Sequence, residues 1–355
     1  MKKILPIITM IAAISLMGIG CIEFGGAPTG AQGGVWKTTD QGEIWEQKVD
    51  FPTSEGVGKI GQVNINVIAI DPSDHLAIYA GTSADGLLYS YDAAESWESA
   101  KQLDTGPIAD ISIDPKDKCN VYAASRNKVY KSIDCNRTFE QSYYETRTDV
   151  KVTDVEIDWY NPTIVYAGTS DGDLLKSTDA GASWSPVHRF DGDINDILID
   201  PFDSRVMYIG TENKGLWKSV DGGESWSDFE AELKDFKNSR DIYFLTADKT
   251  SQNTFIIATK YGLIRTTDAG SSWSEIELVT PPGEARITSL VLNPREGREI
   301  YYTTSGTFYK SLDAGATWVT KKVPALDRGA SAITIDPENN KVIYLGVSES
   351  KKDSF

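Results

Sequence analysis

Apolar and polar residues alternate over short stretches that recur along the chain, among them Ile65 to Ile70, Ile108 to Ile113, Ile194 to Ile199, Ile287 to Leu292 and Ala332 to Ile335. A period of two places alternate side chains on opposite faces of a strand, so these stretches predict half-buried β-strands, each the innermost of a small sheet. Most run into Asp or Asn followed by Pro: Asp71-Pro72, Asp114-Pro115, Asp200-Pro201, Asn293-Pro294 and Asp336-Pro337. Asp at the first and Pro at the second position favour a β-turn. A second strand follows, as in Ile78 to Thr82 and Val165 to Thr169, and a short Gly-containing turn leads to a third.

Each third strand ends in a recurring segment. Seven align: Thr38 to Trp45, Ser90 to Trp97, Ser132 to Phe139, Ser177 to Trp184, Ser219 to Trp226, Thr266 to Trp273 and Ser311 to Trp318. Their aspartates are Asp40, Asp92, Asp134, Asp179, Asp221, Asp268 and Asp313. They recur about every 45 residues, the length of a four-stranded propeller blade. The aspartate can accept backbone N–H groups two or three residues on, and the Gly two residues after it supplies a left-handed position.

The segment resembles the Asp-box, or BNR repeat, of sialidases and other propellers. That resemblance implies an all-β fold: a seven-bladed β-propeller of four-stranded antiparallel blades. The first copy supplies only third and fourth strands, and Ser331 to Val347 supplies only a first and a second. The ends therefore share a blade, which closes the ring and removes free sheet edges. Asn136 and Phe139 depart from the pattern in the third copy, and Ala94 replaces the Gly of the second. Asn tolerates the left-handed conformation, whereas Ala is harder to place there.

Composition narrows the function. The 355 residues carry 52 acidic and 35 basic side chains, a formal charge of −17. Nucleic-acid binding through phosphates needs clustered Lys and Arg, so that class is set aside. With two histidines and no CxxC pair, zinc sites of the usual ligand sets are not expected, nor is any other metal or cofactor. Nine tryptophans suggest a binding surface, but six close the repeat and read as packing residues.

Lys2 and Lys3 precede an apolar run from Ile4 to Gly20, the layout of a secretory signal over residues 1–20. The Gly18-Ile19-Gly20-Cys21 end resembles the lipobox of bacterial lipoproteins, which implies lipidation at Cys21; plain signal cleavage is the alternative. Residues 21–34 then read as an anchor and Gly-rich tether, and 35–355 as the propeller. The expected location is the extracytoplasmic side of a membrane, or otherwise a secreted or periplasmic one. In an exported protein Cys119 and Cys135, set across a hairpin turning near Arg126-Asn127, are placed for a disulfide; two buried thiols are the alternative.

The repeat wording is similar to three propeller groups: photosystem II assembly factors, sortilin-type peptide binders, and xyloglucan-cleaving endoglucanases. The last are built from two propellers with acid and base aspartates facing the cleft between them. Sialidase activity is not expected, because the arginines are scattered and no arginine motif precedes the first box. No catalytic residue is assigned. The expected binding face carries the fourth-to-first and second-to-third strand connections, including Gln141 to Lys151, Val187 to Asp193, Phe229 to Asp241 and Glu275 to Arg286. On these loops Tyr143, Tyr144, Arg147, Arg189 and Phe190 suit a partner contact. Asp171 and Asp173 with Asp191 and Asp193 could meet as a calcium site or an acid–base pair. The reading is a monomeric, lipid-anchored, non-catalytic module that binds a protein or peptide, with glycan possible; a carbohydrate-active hydrolase or lyase is the rival.

Overall fold

The computed structural model describes residues 32–349. Cys21 and the expected leader fall outside the described residues. Seven four-stranded antiparallel sheets form the blades of a propeller. Six are continuous in sequence, starting with inner strands Ile65–Asp71, Asp110–Ile113, Val152–Ile157, Ile194–Ile199, Ile242–Ala247 and Ser289–Asn293. We number them blades 1 to 6. Blade 7 is shared: Arg328–Ile335 and Ile343–Glu349 come from one end of the chain, Gly34–Thr38 and Glu46–Lys48 from the other. The seam is the ladder from Gly34 opposite Val347 to Thr38 opposite Ile343. Neighbouring inner strands pack around the ring and close it between Arg328–Ile335 and Ile65–Asp71.

The alternation along each strand now has a cause. Ile65 and Ile68 turn into the core that joins blades 7 and 1, where they meet Val35, Tyr344 and Trp97. Equivalent apolar clusters fill the other seams. The inner strand of blade 2 begins later than its alternation suggests, because Ile108 donates its N–H to Thr82 of the preceding blade and so joins no ladder of its own sheet. A two-stranded hairpin, Asp50–Thr53 with Gly56–Lys59, lies between blades 7 and 1 and was not anticipated.

The Asp-box turns differ from expectation in two respects. The aspartate receives the N–H four residues on, as from Ile44 to Asp40 at 2.9 Å and from Ser183 to Asp179 at 2.8 Å. Its second oxygen accepts the hydroxyl at that same position, at 2.5 Å from Ser183. These bonds, led by the Ser183 hydroxyl, hold the Asp179 carboxyl down at about 2. Two consecutive residues, not one, are left-handed: Ala180 at φ 55° and Gly181 at 81°. Glycine suits the second site for a further reason. A Cβ on Gly270 would lie 2.3 Å from the Phe229 ring, and one on Gly315 2.3 Å from Ile276. Ala94, buried at φ 69°, shows that blade 1 leaves room for a methyl group there.

Cys119 and Cys135 form a disulfide. The ladder pairs Val121 with Ser132 and Ser125 with Lys128, which turns the hairpin at Arg126-Asn127 and, extended, would set Cys119 opposite Asp134, one residue from Cys135. Both cysteines sit just beyond the paired residues, where that offset does not prevent the bond. Closing a loop of this size contributes about 3 kcal/mol through the unfolded chain.

Candidate functional site

Antiparallel blades sort their connections onto two faces. The turns after the inner strands and the Asp-boxes lie at one end of the strands; the fourth-to-first and second-to-third connections lie at the other. On this second face, blades 2 and 3 bring together side chains far apart in sequence. Arg147 bonds Glu145 through Nε at 3.0 Å and Nη2 at 2.7 Å. Its guanidinium also reaches Asp171 at 2.8 Å and Asp173 at 2.6 Å. Arg189, at the end of Ser185–Arg189, pairs with the same two carboxylates at 2.7 and 2.9 Å. Arg147 and the other donors hold the Glu145 carboxyl down at about 2. Such fork geometry fixes the loops more firmly than single surface ion pairs would.

The five residues singled out on these loops separate. Tyr143 joins the network, its hydroxyl 3.0 Å from Glu145 and its ring against Trp184. Tyr144 is 47% exposed, with the Lys128 ammonium 5.5 Å from its ring centre. Phe190 turns inward, 3% exposed between His188, Trp217 and Trp226, so it packs the blade and offers no surface. Asp171 and Asp173 are bridged by two guanidiniums and do not form the calcium or acid–base pair considered from sequence; Asp191 lies 3.6 Å from Arg189.

A second group was not singled out from the sequence. Asp110, Asp154, Glu156 and Asp196 belong to the inner strands of blades 2, 3 and 4. Each aspartate accepts a backbone N–H from the next blade: Asp110 from Val155 at 3.2 Å, Asp154 from Ile197 at 3.2 Å and Asp196 from Leu245 at 2.7 Å. Glu156 accepts the Ser112 hydroxyl at 3.1 Å. Burial first, opposed in part by those N–H bonds, raises Asp110 to about 6 and Asp196 to about 7. Glu156 goes to about 8 and Asp154 well above the ordinary range, burial again leading and neighbouring carboxylates adding to it. The signal was present as an Asp directly before an apolar residue, in Asp110-Ile111, Asp154-Val155 and Asp196-Ile197. What these groups do is stitch blade to blade while holding their protons to higher pH than ordinary carboxyls do.

A pH dependence follows. Folded values above those of an unfolded carboxylate mean that the native state binds more protons, so stability is present at low pH and lost as pH rises through about 6 to 8. His75, raised by its bond to Asp336, acts in the same direction. The melting temperature should fall between pH 6 and pH 9, and fall less in Asp196→Asn, which keeps an acceptor for Leu245. A melting temperature that rises over that interval would contradict the protonated cluster.

Comparison with known proteins fits the geometry. The family described as "Photosynthesis system II assembly factor YCF48" matches residues 187–352. YCF48 from Cyanidioschyzon merolae superposes with a TM-score of 0.61 at 14% identity, over 80% of this chain and 95% of that one. A structure titled "YCF48 bound to D1 peptide" gives 0.60 at 13% identity, over 85% and 96%. The chain is a BNR-repeat propeller similar to YCF48. This BNR propeller also superposes on the GH74 xyloglucanase from Xanthomonas campestris, with a TM-score of 0.68 at 17% identity over 81% of its own length. It spans about half, 51%, of that enzyme. No curated protein matches it in sequence.

Proposed function

We propose that the protein is a non-catalytic binding or assembly module of the cell envelope, anchored through a lipid on Cys21, that presents the blade 2 and blade 3 loops to a protein or peptide. The observation that carries this reading is the Arg147–Arg189 network. It rigidifies a loop surface and leaves the Tyr144 ring projecting beside it. A rigid aromatic at low conformational cost is the usual anchor of a protein contact. The YCF48 neighbour bound to a D1 peptide supports a peptide partner.

The hydrolase reading has one observation behind it, the raised carboxylates of the inner strands, whose values suit a general acid. Their three aspartates are committed to backbone N–H groups of the next blade, and the described residues build one propeller where the resemblance asks for a cleft between two. A photo-crosslinking residue placed at Tyr144 should capture a discrete protein in the native membrane, while the same residue at Val220, exposed near the opposite end of the strands, should not. The same products from both positions, or none from either, would count against the assignment.

A further inference from the structure

Six of the seven blades carry a cation three residues before the box aspartate, and it always does the same thing. Lys37, Lys131, Lys176, Lys218, Arg265 and Lys310 each donate to the carbonyl of a left-handed box residue in the next blade: Ala93, Ala180, Gly222, Ala269, Ala314 and Gln41, at 2.7 to 3.1 Å. Four of the lysines also lie over a buried second-strand tyrosine of their own blade, as Lys131 does over Tyr122 at 5.2 Å. Lys131, Lys218 and Arg265 further feel the turn aspartate of their own blade, Asp114, Asp200 and Asp248. The repeat thus builds a cation box of carbonyl, aromatic face and carboxylate.

Blade 1 has the box without the cation. Tyr89 stands in its place and turns away, donating to Glu98 at 3.0 Å. The tyrosine face is Tyr79, the carbonyl is that of Cys135 and the carboxylate is Asp71. Asp71 is 0% exposed; its Oδ1 takes the N–H groups of Ser73 and Asp74, and its Oδ2 has no partner. In blades 2 and 7 this oxygen is served: Asp114 by Asn120 at 2.9 Å and Asp336 by His75 of blade 1 at 2.9 Å. A cavity of about 280 Å³ lies here, lined by Asp71, Asp74, Tyr79, Tyr91, Lys118 and Cys135. Lys118, the one cation lining it, is 56% exposed and paired with Asp74 at 3.0 Å. Tyr91 covers the Cys135 carbonyl with a hydroxyl at 3.2 Å, and Asn136 Nδ2 donates to the hydroxyls of Tyr79 and Tyr91 at 3.0 and 2.8 Å, so an amine at this carbonyl displaces the Tyr91 hydroxyl.

We propose that this seam is a binding site for an alkylammonium group, the side chain of a partner's lysine or a free amine, seated where the repeat's own lysine sits in the other blades. The site lies on the Asp-box end of the strands, away from Tyr144, so it stands or falls independently of the loop contact. Burial over Tyr79 and beside a carboxylate whose Oδ2 has no hydrogen-bond partner, with Lys118 acting on it only through space, makes a charged amine the fitting occupant, and the chain's net charge of −17 favours its approach.

The test is titration with capped lysine methylamide, butylamine and the neutral capped norleucine analogue, followed by NMR of the folded protein. Both amines should saturate at millimolar concentrations and norleucine should not; tighter binding of capped lysine marks a protein side chain as the source, tighter butylamine a free amine. Tyr89→Lys restores the internal cation and should weaken binding at least about tenfold while raising the melting temperature. Asp71→Asn, which keeps the turn acceptor as Asn293 does in blade 6, should weaken it at least about fivefold. No saturation by either amine up to about 50 mM, equal binding of norleucine, or affinity unchanged in Tyr89→Lys would overturn the site.

Discussion

Deletion of residues 331–355 unfolds the whole propeller in one cooperative step. The cut removes most of the two strands that one end of the chain gives to blade 7, and with them Ala332, Ile333, Ile335, Ile343, Tyr344, Leu345 and Val347, all buried. At roughly 1.5–3 kcal/mol for each large apolar side chain, the loss is as large as the roughly 5–15 kcal/mol that holds a typical domain together. It also leaves Gly34–Thr38 without its ladder, an open strand edge, and uncovers the apolar faces of blades 6 and 1 that packed on blade 7. Far-ultraviolet circular dichroism on heating gives the readout. A truncated protein that melts at the full-length temperature would show that the shared blade is not what closes the ring.

The second large effect is at one tryptophan. Trp97 is 0% exposed, and its indole N–H donates to the Lys48 carbonyl at 3.0 Å, tying the blade 1 box to the fourth strand of the shared blade. It packs in the cluster that contains Val35 from one end of the chain and Ala332 and Tyr344 from the other. Trp97→Ala should cost roughly 3–5 kcal/mol in urea unfolding, through lost burial and a cavity that the surrounding strands cannot close. Trp318, the same repeat position in blade 6, is only partly buried and should cost less. Equal losses would mean that box tryptophans act as interchangeable hairpin covers and not as seam residues.

The difference between these two tryptophans shows where sequence reasoning stops. Blade spacing, the alternating inner strands and the split blade were all legible, because they depend on period and count: Asp40 to Asp313 sets the blades, and Ile65 to Ala332 sets the inner strands. Side-chain pairing across blades was not. Arg147 and Asp171 stand on different blades, and nothing local marks that one guanidinium will meet three carboxylates. Asp110, Asp154 and Asp196 occupy the polar positions of an alternating strand, which in a lone sheet would face water; only closure of the ring surrounds them with neighbouring blades. The tyrosine of Ser90-Tyr91-Asp92 and the Tyr89 before it are visible departures from the Lys-Ser-x-Asp wording of other copies. Their meaning waits on knowing that the lysine in those copies bonds the next blade.

In the proposed function this propeller binds a protein and does no chemistry on glycans. Crosslinking and pull-down of the full-length protein from the cells that make it, run beside a glycan array and a β-glucan hydrolysis assay, is the decisive measurement. The expected result is a discrete protein partner whose capture is lost in Tyr144→Ala, with no hydrolysis and no specific glycan. A specific glycan ligand, or sugar release that disappears in Asp110→Asn or Asp196→Asn, without any protein partner, would contradict it.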